Sequence, residues 1–283
     1  MPTDPIRHYD RITAAWTLIL GEDFHHGLFA PGETDLQRAT ACLTETMAAA
    51  ASPPAHPRIV DLGCGTGTQA CWLSERFGAV QVVGVSTSAV GVAAGRRRSQ
   101  AAGLSATVTF VEADARDSGL AAGVWDLVWL TESSQYLAPR PAMMRECARL
   151  LAPGGRMVLG DVVLTHPLTL RDLRRRHVDL DVLGDTFGDA VMGTTEEYTQ
   201  AAQAAGLTVT ALTDLSARVL PTFGQWRDHA RRAGPSVSNL IGEEGLAGFI
   251  AGCDVMERFF AEDVIGYALM TADKPWEPAR MLT

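Results

Sequence analysis

Short apolar runs, rich in valine, isoleucine and leucine, recur along the chain and are separated by longer stretches with helical periodicity. A short apolar run bounded by turn residues is typical of a strand that is buried in a parallel sheet. Seven such runs are present, so we expect seven strands. They are Arg58–Leu62, Val80–Val85, Thr107–Val111, Trp125–Leu130, Arg156–Leu164, Thr208–Leu215 and Val264–Ala272.

The stretches between these runs carry apolar residues at helical spacing, which predicts amphipathic helices. The clearest helix stop is Pro153-Gly154-Gly155, because proline cannot continue a helix and glycine commonly follows its end. Alternation of strands and helices predicts an α/β fold with a doubly wound, mostly parallel sheet, right-handed crossovers and helices on both faces. The predicted helices are Ile12–Leu20, Leu36–Ala51, Thr68–Phe77, Ala89–Ala102, Pro141–Leu151 and Thr195–Gly206.

Three parts of the chain follow from this pattern. Residues 1–56 precede the first strand, and their pattern predicts a helical N-terminal cap. Residues 57–164 contain the regular alternation of strands and helices, which predicts the cofactor-binding core. Residues 165–283 complete the sheet but are interrupted by two helical insertions, 165–193 and 218–262. In open α/β sheets, ligands bind at the carboxyl ends of the strands, where the strand order reverses. We therefore expect the cap and the two insertions to cover the active site, with the insertions forming a substrate lid.

The segment RIVDLGCGTGTQ, residues 58–69, carries the most specific local signal. Gly63, Gly65 and Gly67 follow directly after the first strand and precede the next helix. Glycines at this spacing allow the backbone to pass close beneath a flat, charged ligand, because no side chain fills the space. An ordinary tight strand–helix turn has the same composition, so the interpretation of this turn depends on the rest of the chain.

Composition and charge disfavour several classes of partner. The chain has 283 residues with a formal net charge of −9, which argues against nucleic acid or an anionic membrane surface as the main partner. No apolar run reaches the ~18 residues of a membrane span, and the N-terminus MPTDPIRHYD lacks the order of a secretory signal. The five cysteines show neither a CxxC motif nor zinc spacing. We therefore expect reduced thiols, no bound metal and a cytoplasmic location.

Five motifs, in the order and spacing of one known family, give the glycine turn a specific interpretation. VDLGCGTGTQ is followed by GVSTS after the second strand, VEADARD at the third, WDLVWLTESSQYL along the fourth and LLAPGGRMVLGDVVL into the fifth. Together they resemble the class I S-adenosylmethionine-dependent methyltransferases, in the small-molecule branch that includes tocopherol, sugar-O and geranyl-diphosphate C-methyltransferases. The early YD and GEDFHHG are similar to the N-terminal cap of that branch. The resemblance implies a Rossmann-like fold and S-adenosylmethionine as cofactor, with S-adenosylhomocysteine as product.

The resemblance assigns cofactor contacts to the ends of the first four strands. Asp61 would organise the glycine turn and the amino end of the cofactor, and Asp114 would accept a hydrogen bond from the adenine amino group. The acid that usually holds the ribose is replaced by hydroxyl side chains, among them Ser86 and Thr87. The full set implied by the resemblance is Tyr9, Asp61, Gly63, Gly65, Gly67, Ser86, Thr87, Asp114, Ala115 and Glu132.

The resemblance also suggests which residues take part in catalysis. Gln135 and Tyr136 stand where several O-methylating relatives carry histidine, and neither is a good base at neutral pH. Asp161 matches a carboxylate of the sugar O-methylating relatives, and we expect it to act as a general base, which typically contributes ~10²–10⁴ in rate. The candidate catalytic set is Asp161, Glu132, Tyr136 and His25, with His26 and His166 as second-rank bases.

A second interpretation follows from the segment ESSQY, which is similar to the EST-x-Y of geranyl-diphosphate C-methylating relatives. Methyl transfer to an alkene forms a carbocation, which carboxylates and aromatic faces stabilise. The residues available for these roles are Glu132, Tyr136, Trp129 and Phe24 for the cation, and Arg171, Arg174, Arg175 and His177 for a diphosphate. A third interpretation is a cyclase of the same fold, and a fourth is a scaffold that binds the cofactor without methyl transfer.

These observations lead to one preferred hypothesis. We expect an S-adenosylmethionine-dependent methyltransferase that acts on an oxygen or nitrogen nucleophile of a small, partly apolar natural product. Orientation of the nucleophile, the methyl carbon and the sulfur can lower the barrier of such a reaction by on the order of 7–11 kcal/mol. The expected partner is the small-molecule acceptor. A second copy of the chain, in a homodimer, is a further candidate partner.

Overall fold

The computed structural model describes residues 5–276 of the chain, and the side chains of residues 12–276. Within this range the chain forms strands, α-helices and a 3₁₀ turn at Ser134–Tyr136. The strands are β1 Arg58–Leu62, β2 Gln81–Ser86, β3 Val108–Glu112, β4 Trp125–Thr131, β5 Leu151–Leu164, β6 Thr208–Asp214 and β7 Ile265–Asp273. The helices are α1 Pro5–Leu20, α2 Leu36–Ala51, α3 Thr68–Phe77, α4 Ala89–Ala101, α5 Arg140–Leu150, α6 Leu170–Arg175, α7 His177–Phe187, α8 Thr195–Ala204, α9 Ser216–Val219, α10 Thr222–Arg232 and α11 Gly234–Ala261.

The strands form one seven-stranded sheet in the order β3-β2-β1-β4-β5-β7-β6, and the pairs from β3 to β5 are all parallel. β7 runs antiparallel to β5. Lys274, just after β7, is hydrogen-bonded to Gly154 near the start of β5, whereas Val264, just before β7, is bonded to Thr165 just after β5. The strand order reverses between β1 and β4, which is where folds of this type bind ligands. The predicted doubly wound, mostly parallel seven-stranded α/β sheet is confirmed.

Most strand starts match the prediction to within one residue, and β5 is the exception. It begins at Leu151 rather than at Arg156, so Pro153-Gly154-Gly155 marks the end of α5 correctly but does not form a loop. Trp125 of β4 is in register with Leu151, and the N–H of Gly154 donates to the carbonyl of Lys274 on the other side. Backbone bonds to both neighbouring strands therefore override the local turn preference of this segment.

The chain divides into two compact units. The helical unit consists of Met1–Thr46, Val162–Thr195 and Asp214–Ala268. The sheet unit consists of Met47–Asp161, Glu196–Thr213 and Leu269–Thr283, and it contains β1 to β4 with α3 to α5. The three-part division expected from the sequence, with boundaries near residues 56 and 164, stays a prediction.

Three glycines of the sheet unit pack against one aromatic ring. Phe110, in the middle of β3, is 4% exposed and contacts Gly67, Gly84 and Gly95. A Cβ atom on Gly95 would come within 2.6 Å of this ring, and one on Gly67 within 2.5 Å. Protein interiors are close-packed and do not tolerate such overlap. The segments that carry these glycines approach β3 closely only because the three positions lack side chains.

Packing among helices holds the helical unit together. α11 contacts α1, α7 and α10, and its backbone is kinked at Gly242, where φ is +79°. Arg227 of α10 pairs with Asp254 of α11 at 3.1 Å and with Glu257 at 2.6 Å. Although α11 has 28 residues, no helix within the described range is apolar enough over a sufficient length to cross a membrane.

Gly95→Ala is expected to lower the free energy of unfolding by roughly 1–3 kcal/mol, because the added methyl group overlaps the Phe110 ring. This overlap must outweigh the gain of about 1 kcal/mol that alanine brings to a helix. Gly248→Ala in α11 is the matched control, since a Cβ atom there meets nothing within 4 Å, and it should stabilise the protein. Urea unfolding followed by circular dichroism measures both changes, and equal effects would contradict the packing.

Candidate active site

Three glycines with positive φ form the turn from β1 to α3, with values of +84° at Gly63, +52° at Gly65 and +79° at Gly67. Packing requires two of them. A Cβ atom on Gly63 would overlap the side chain of Ser133, and one on Gly67 would overlap the ring of Phe110. At Gly65, by contrast, a Cβ atom would meet nothing within 4 Å. The turn therefore presents bare backbone to open space at the carboxyl end of β1.

Asp61, in β1 just before the turn, carries a carboxylate oxygen that the protein leaves unsatisfied. The residue is 3% exposed, and its Oδ2 has no hydrogen-bond partner among the described residues. Burial raises the pKa of Asp61 from 3.8 to about 7. A buried carboxylate in this state is costly unless a cation or a hydrogen-bond donor reaches it. The position therefore suits a ligand that brings a positive charge.

Hydroxyl groups shape the turn after β2. Ser86 Oγ accepts a hydrogen bond from the N–H of Ser88 at 3.1 Å, and Ser88 Oγ caps α4 by accepting from the N–H of Gly91 at 2.9 Å. Thr87, between the two serines, is exposed. Ser86 Oγ accepts this backbone bond while its hydroxyl proton can still be donated. Binding of a ribose by Ser86 and Thr87 stays a prediction.

Asp114, which the resemblance assigns to adenine, is held by Arg116. The guanidinium forms a two-pronged pair with the carboxylate, Nε to Oδ1 at 2.9 Å and Nη2 to Oδ2 at 2.7 Å. These bonds lower the pKa of Asp114 and keep it ionised. Nη1 of Arg116 also donates to the carbonyl of Ala138, which ties the loop after β3 to the loop after β4. The sequence analysis missed Arg116, although its place two residues after the aspartate allows such a pair.

Glu132 follows β4 and has a strained backbone. Its φ is +50°, in the left-handed region that residues other than glycine seldom adopt. Hydrogen bonds on both sides impose this conformation. The N–H of Glu132 donates to the carbonyl of Gly160 at 2.8 Å, and Ser133 Oγ donates to the carbonyl of Leu62 at 2.7 Å. Strain of this kind costs of order 1–3 kcal/mol and is common at active sites.

Asp161, near the carboxyl end of β5, is fully buried, and its Oδ2 accepts three hydrogen bonds. The donors are the N–H of Ser134 at 2.9 Å, the hydroxyl of Ser134 at 2.5 Å and the N–H of Gln135 at 3.3 Å. The Tyr198 hydroxyl lies 2.8 Å from Ser134 Oγ, and burial raises the pKa of this tyrosine. Because the serine proton is donated to Asp161, the tyrosine donates to the serine. The network fixes the 3₁₀ turn that carries Tyr136, and the sequence analysis did not foresee it.

A second network that the sequence analysis missed joins α3 to β4. Gln69 Oε1 accepts hydrogen bonds from Trp129 Nε1 at 2.6 Å and from the Thr131 hydroxyl at 2.7 Å. Trp129 is completely buried. Its ring therefore belongs to the core and is not available to stabilise a carbocation.

His25 belongs to the helical unit and is 3% exposed. Its Nδ1 lies 2.8 Å from the carbonyl oxygen of His26, and its Nε2 lies 3.2 Å from the Thr44 hydroxyl. The carbonyl can only accept, so Nδ1 carries the proton and Nε2 is the basic nitrogen. Tyr9 falls within α1, but its side chain lies outside the described residues.

The other residues of the cofactor set and of the main catalytic set lie in the sheet unit at the carboxyl ends of β1 to β5, where they fit the cofactor that the resemblance implies, whereas the two second-rank bases belong to the helical unit. The bare backbone at Gly65 leaves room for it, and the unsatisfied oxygen of Asp61 suits an ammonium group. The fixed carboxylate of Asp114 suits an amino donor, next to the buried Ala115. Among the side chains of residues 12–276, no group of three or more His, Cys, Asp or Glu could hold a metal ion.

Comparisons with known proteins identify related methyltransferases and a similar fold. A family model described as a methyltransferase domain matches residues 59–155. The chain is 31% identical over 284 residues to methyltransferase GfsG from Streptomyces halstedii, a match that covers 95% of this chain and 93% of that protein. It is 29% identical over 275 residues to 27-O-demethylrifamycin SV methyltransferase from Amycolatopsis mediterranei, covering 97% and 98% respectively. A crystal structure of the cyclase SpnF matches with a TM-score of 0.82 at 25% identity, over 97% of each chain.

Asp61→Asn is expected to change how the stability of the ligand-free protein depends on pH. The pKa of Asp61 is about 7 in the folded protein and near 3.8 when unfolded, so the folded state binds the extra proton between these values. Stability therefore falls as the pH rises from about 4 to 7 and stays lower above that range. Asparagine cannot ionise, so the variant should exceed the wild type near pH 8 by up to about 4 kcal/mol.

Urea unfolding at about pH 5 and pH 8 measures this difference. Asp117→Asn is the control, because Asp117 is exposed and its loss should leave the pH dependence unchanged. Parallel pH profiles of the wild type and Asp61→Asn would show that the pKa of Asp61 is not raised.

Proposed function

This chain belongs to the class I S-adenosylmethionine-dependent methyltransferases, and we propose that it transfers the methyl group to an oxygen atom of a small natural product. The observation that best supports a cofactor site is the unsatisfied Oδ2 of Asp61. It is found in the same turn region as Gly65, where a Cβ atom would meet open space. A buried carboxylate without a partner lowers the stability of the free protein, so a ligand that supplies the missing cation explains its presence. Gly65 leaves that ligand room.

Oxygen as the methylated atom is inferred from relatives that match over nearly the whole chain. The name of one relative, 27-O-demethylrifamycin SV methyltransferase, states an oxygen acceptor on a natural product. This relative and GfsG each align with at least 95% of the chain, so the similarity extends through the helical unit as well as the sheet unit. We therefore prefer oxygen to nitrogen.

S-adenosylmethionine supplies a methyl group that its sulfonium already activates, so the main tasks of the protein are binding and orientation. We assign the amino end of the cofactor to Asp61 and the adenine amino group to Asp114, which Arg116 holds in place and ionised. The backbone at Gly65 would lie against the cofactor, and the Ser86 hydroxyl would donate to the ribose. These residues lie at the ends of three neighbouring strands, β1 to β3.

An alcohol acceptor must lose its proton, and we propose that the carboxylate of Glu132 is the base that accepts it. Its side chain is half-buried, and its backbone is held in a strained conformation at the point where the strand order reverses. Asp161 is the alternative base. Because three hydrogen bonds from Ser134 and Gln135 already occupy its Oδ2, we assign Asp161 to positioning the turn that follows Glu132.

A C-methyltransferase acting on an isoprenoid diphosphate is less well supported. The basic residues expected to hold the diphosphate are exposed on α6 and α7, whereas phosphate groups bound with a buried alkene need partly desolvated partners. The neighbouring Arg176 is half-buried, but it pairs with Glu262 at 2.7 Å and its guanidinium lies over the Phe259 ring. The exposed residues are Arg171, Arg174, Arg175 and His177.

Incubation of the protein with methyl-labelled S-adenosylmethionine and an extract of the producing cells tests the proposal. We expect S-adenosylhomocysteine in equal amount to one labelled product, with mass fragmentation placing the label on oxygen. Label on carbon would favour the C-methyltransferase. A changed acceptor without S-adenosylhomocysteine would favour a cyclase, which the similarity to SpnF makes the second candidate.

Gly65→Ala should weaken binding of S-adenosylhomocysteine by about 10-fold or more, because the added methyl group enters the space that the cofactor needs. Gly103→Ala is the matched control, since Gly103 also has a positive φ, +71°, and open space around its Cβ position, but lies before the amino end of β3. Both variants should lose roughly 1–2 kcal/mol of stability from backbone strain. Calorimetric titration and urea unfolding separate the two effects, and unchanged affinity in Gly65→Ala would refute the placement of the cofactor.

Substitutions at Glu132 separate its strain from its chemistry. Glycine adopts a φ of +50° freely, so Glu132→Gly should raise the free energy of unfolding by about 1 kcal/mol while lowering kcat by ~10²-fold or more. Glu132→Gln keeps the strain and should lower kcat alone. Asp161→Asn keeps one oxygen for its donors and should lower kcat less than Glu132→Gln does. These effects are measured as kcat against pH. If Asp161→Asn lowers kcat more than Glu132→Gln does, Asp161 is the base.

A further inference from the structure

Aromatic rings from four helices gather in the helical unit. Trp16 of α1, Phe187 of α7, Trp226 of α10 and Phe249 of α11 form a closed set, here called the aromatic wall. Ring centroids of neighbours in this set lie 5.8 to 6.4 Å apart, within the range of favourable ring contacts. Phe24 joins Trp16 at 6.3 Å, and both Phe24 and Phe187 are half-exposed. The wall therefore reaches solvent at Phe187, and beside it at Phe24.

Trp226 stands out in this wall because its polar atom is unsatisfied. The residue is 4% exposed, and its Nε1–H has no hydrogen-bond partner among the described residues. The buried tryptophans of the sheet unit differ: Trp129 Nε1 donates to Gln69 at 2.6 Å, and Trp125 Nε1 donates to the carbonyl of Ala121 at 2.8 Å. An unmet buried donor destabilises the free protein. A core that served stability alone would carry phenylalanine at this position.

Among the described residues, no hydrogen bond reaches the Trp226 N–H, although the imidazole of His26, whose ring nitrogens include a possible acceptor, lies close by. The ring neighbours of Trp226 are Phe187, Phe223, Phe249 and His26, with centroids between 4.9 and 6.4 Å away. An aromatic face accepts an N–H only weakly, as a second-order contact. A ligand oxygen would be a much better acceptor in such a desolvated environment.

We propose that the aromatic wall binds the methyl acceptor and that Trp226 Nε1 donates a hydrogen bond to an oxygen of that molecule. The ligand class follows from the chemistry of the wall, which presents ring surfaces and, at Trp226, one unsatisfied N–H donor but no charged group. The acceptor is thus a neutral, flat or polyunsaturated molecule with a carbonyl, ether or hydroxyl oxygen, bound by ring contacts and oriented by one hydrogen bond. Its identity as the methyl acceptor rests on the proposed function, whereas the binding itself does not.

Two probes of the same shape test the hydrogen bond. 2-Acetylnaphthalene carries a carbonyl oxygen, and 2-isopropenylnaphthalene replaces that oxygen with a methylene group. Nuclear magnetic resonance of the ¹⁵N-labelled indole groups follows Trp226 directly, with its signal identified by its absence in Trp226→Phe. We expect the ketone to shift this signal downfield and to bind about 5–10-fold more tightly than the alkene, as one net hydrogen bond provides.

Two variants then test whether Trp226 is responsible for the tighter binding of the ketone. Trp226→Phe keeps a ring but removes the donor, so it should bind the two probes equally. Trp276→Phe is the matched control, because Trp276 belongs to the sheet unit and is 77% exposed, and it should keep the preference for the ketone. A preference that persists in Trp226→Phe, or an indole signal that the ketone leaves unmoved in the wild type, would overturn the proposal. The wild-type comparison needs no variant to fold.

Titration with S-adenosylhomocysteine separates this site from the proposed function. Trp226→Phe should bind it as the wild type does, since Trp226 belongs to the helical unit and the residues assigned to the cofactor, apart from Tyr9, belong to the sheet unit. A normal indole response in a protein that transfers no methyl group would refute the proposed function and leave the binding site intact. A missing response in a protein that does transfer methyl groups would refute the binding site alone.

Discussion

The structure depends on the close approach of the backbones that leave β1 and β4. Gly63 has no room for a side chain against Ser133, and Ser133 in turn donates its hydroxyl proton to the carbonyl of Leu62. This contact joins the two strands between which the sheet order reverses. Each of the two segments carries one unusual feature: Oδ2 of Asp61 is unsatisfied two residues before Gly63, and Glu132, directly before Ser133, has a left-handed backbone. The two features that a ligand could exploit therefore flank this contact.

Three carboxylates at this edge of the sheet are held in different ways. Asp161 accepts three hydrogen bonds at its Oδ2 from Ser134 and Gln135, which hold the turn after β4. Asp114 is fixed and ionised by its arginine, yet it is only partly buried. Asp61 is buried with its Oδ2 unpartnered, and burial raises its pKa to about 7. Because the residue type is the same in each case, the surroundings decide which acid is free to bind a ligand.

The sequence predicted the sheet and the glycine turn after β1 well because both depend on local rules. Apolar runs mark strands, and the glycines at 63, 65 and 67 mark a turn with positive φ. The extension of β5 to Leu151 was missed because hydrogen bonds to two neighbouring strands stabilise a segment that locally favours a turn. The network of Asp161 and Tyr198 was missed for a similar reason, since residues distant in the chain meet only after folding.

The two unsatisfied groups at the centre of these proposals differ in polarity and in origin. Asp61 Oδ2 lacks a donor, and it lies in a local motif that the sequence identifies. Trp226 Nε1 lacks an acceptor, and it lies among rings that four separate helices bring together. Each group costs free energy in the isolated protein, so each indicates the complementary chemistry of a ligand. This contrast explains why a sequence motif indicates the cofactor of such an enzyme, whereas a proposal about its acceptor requires the tertiary structure.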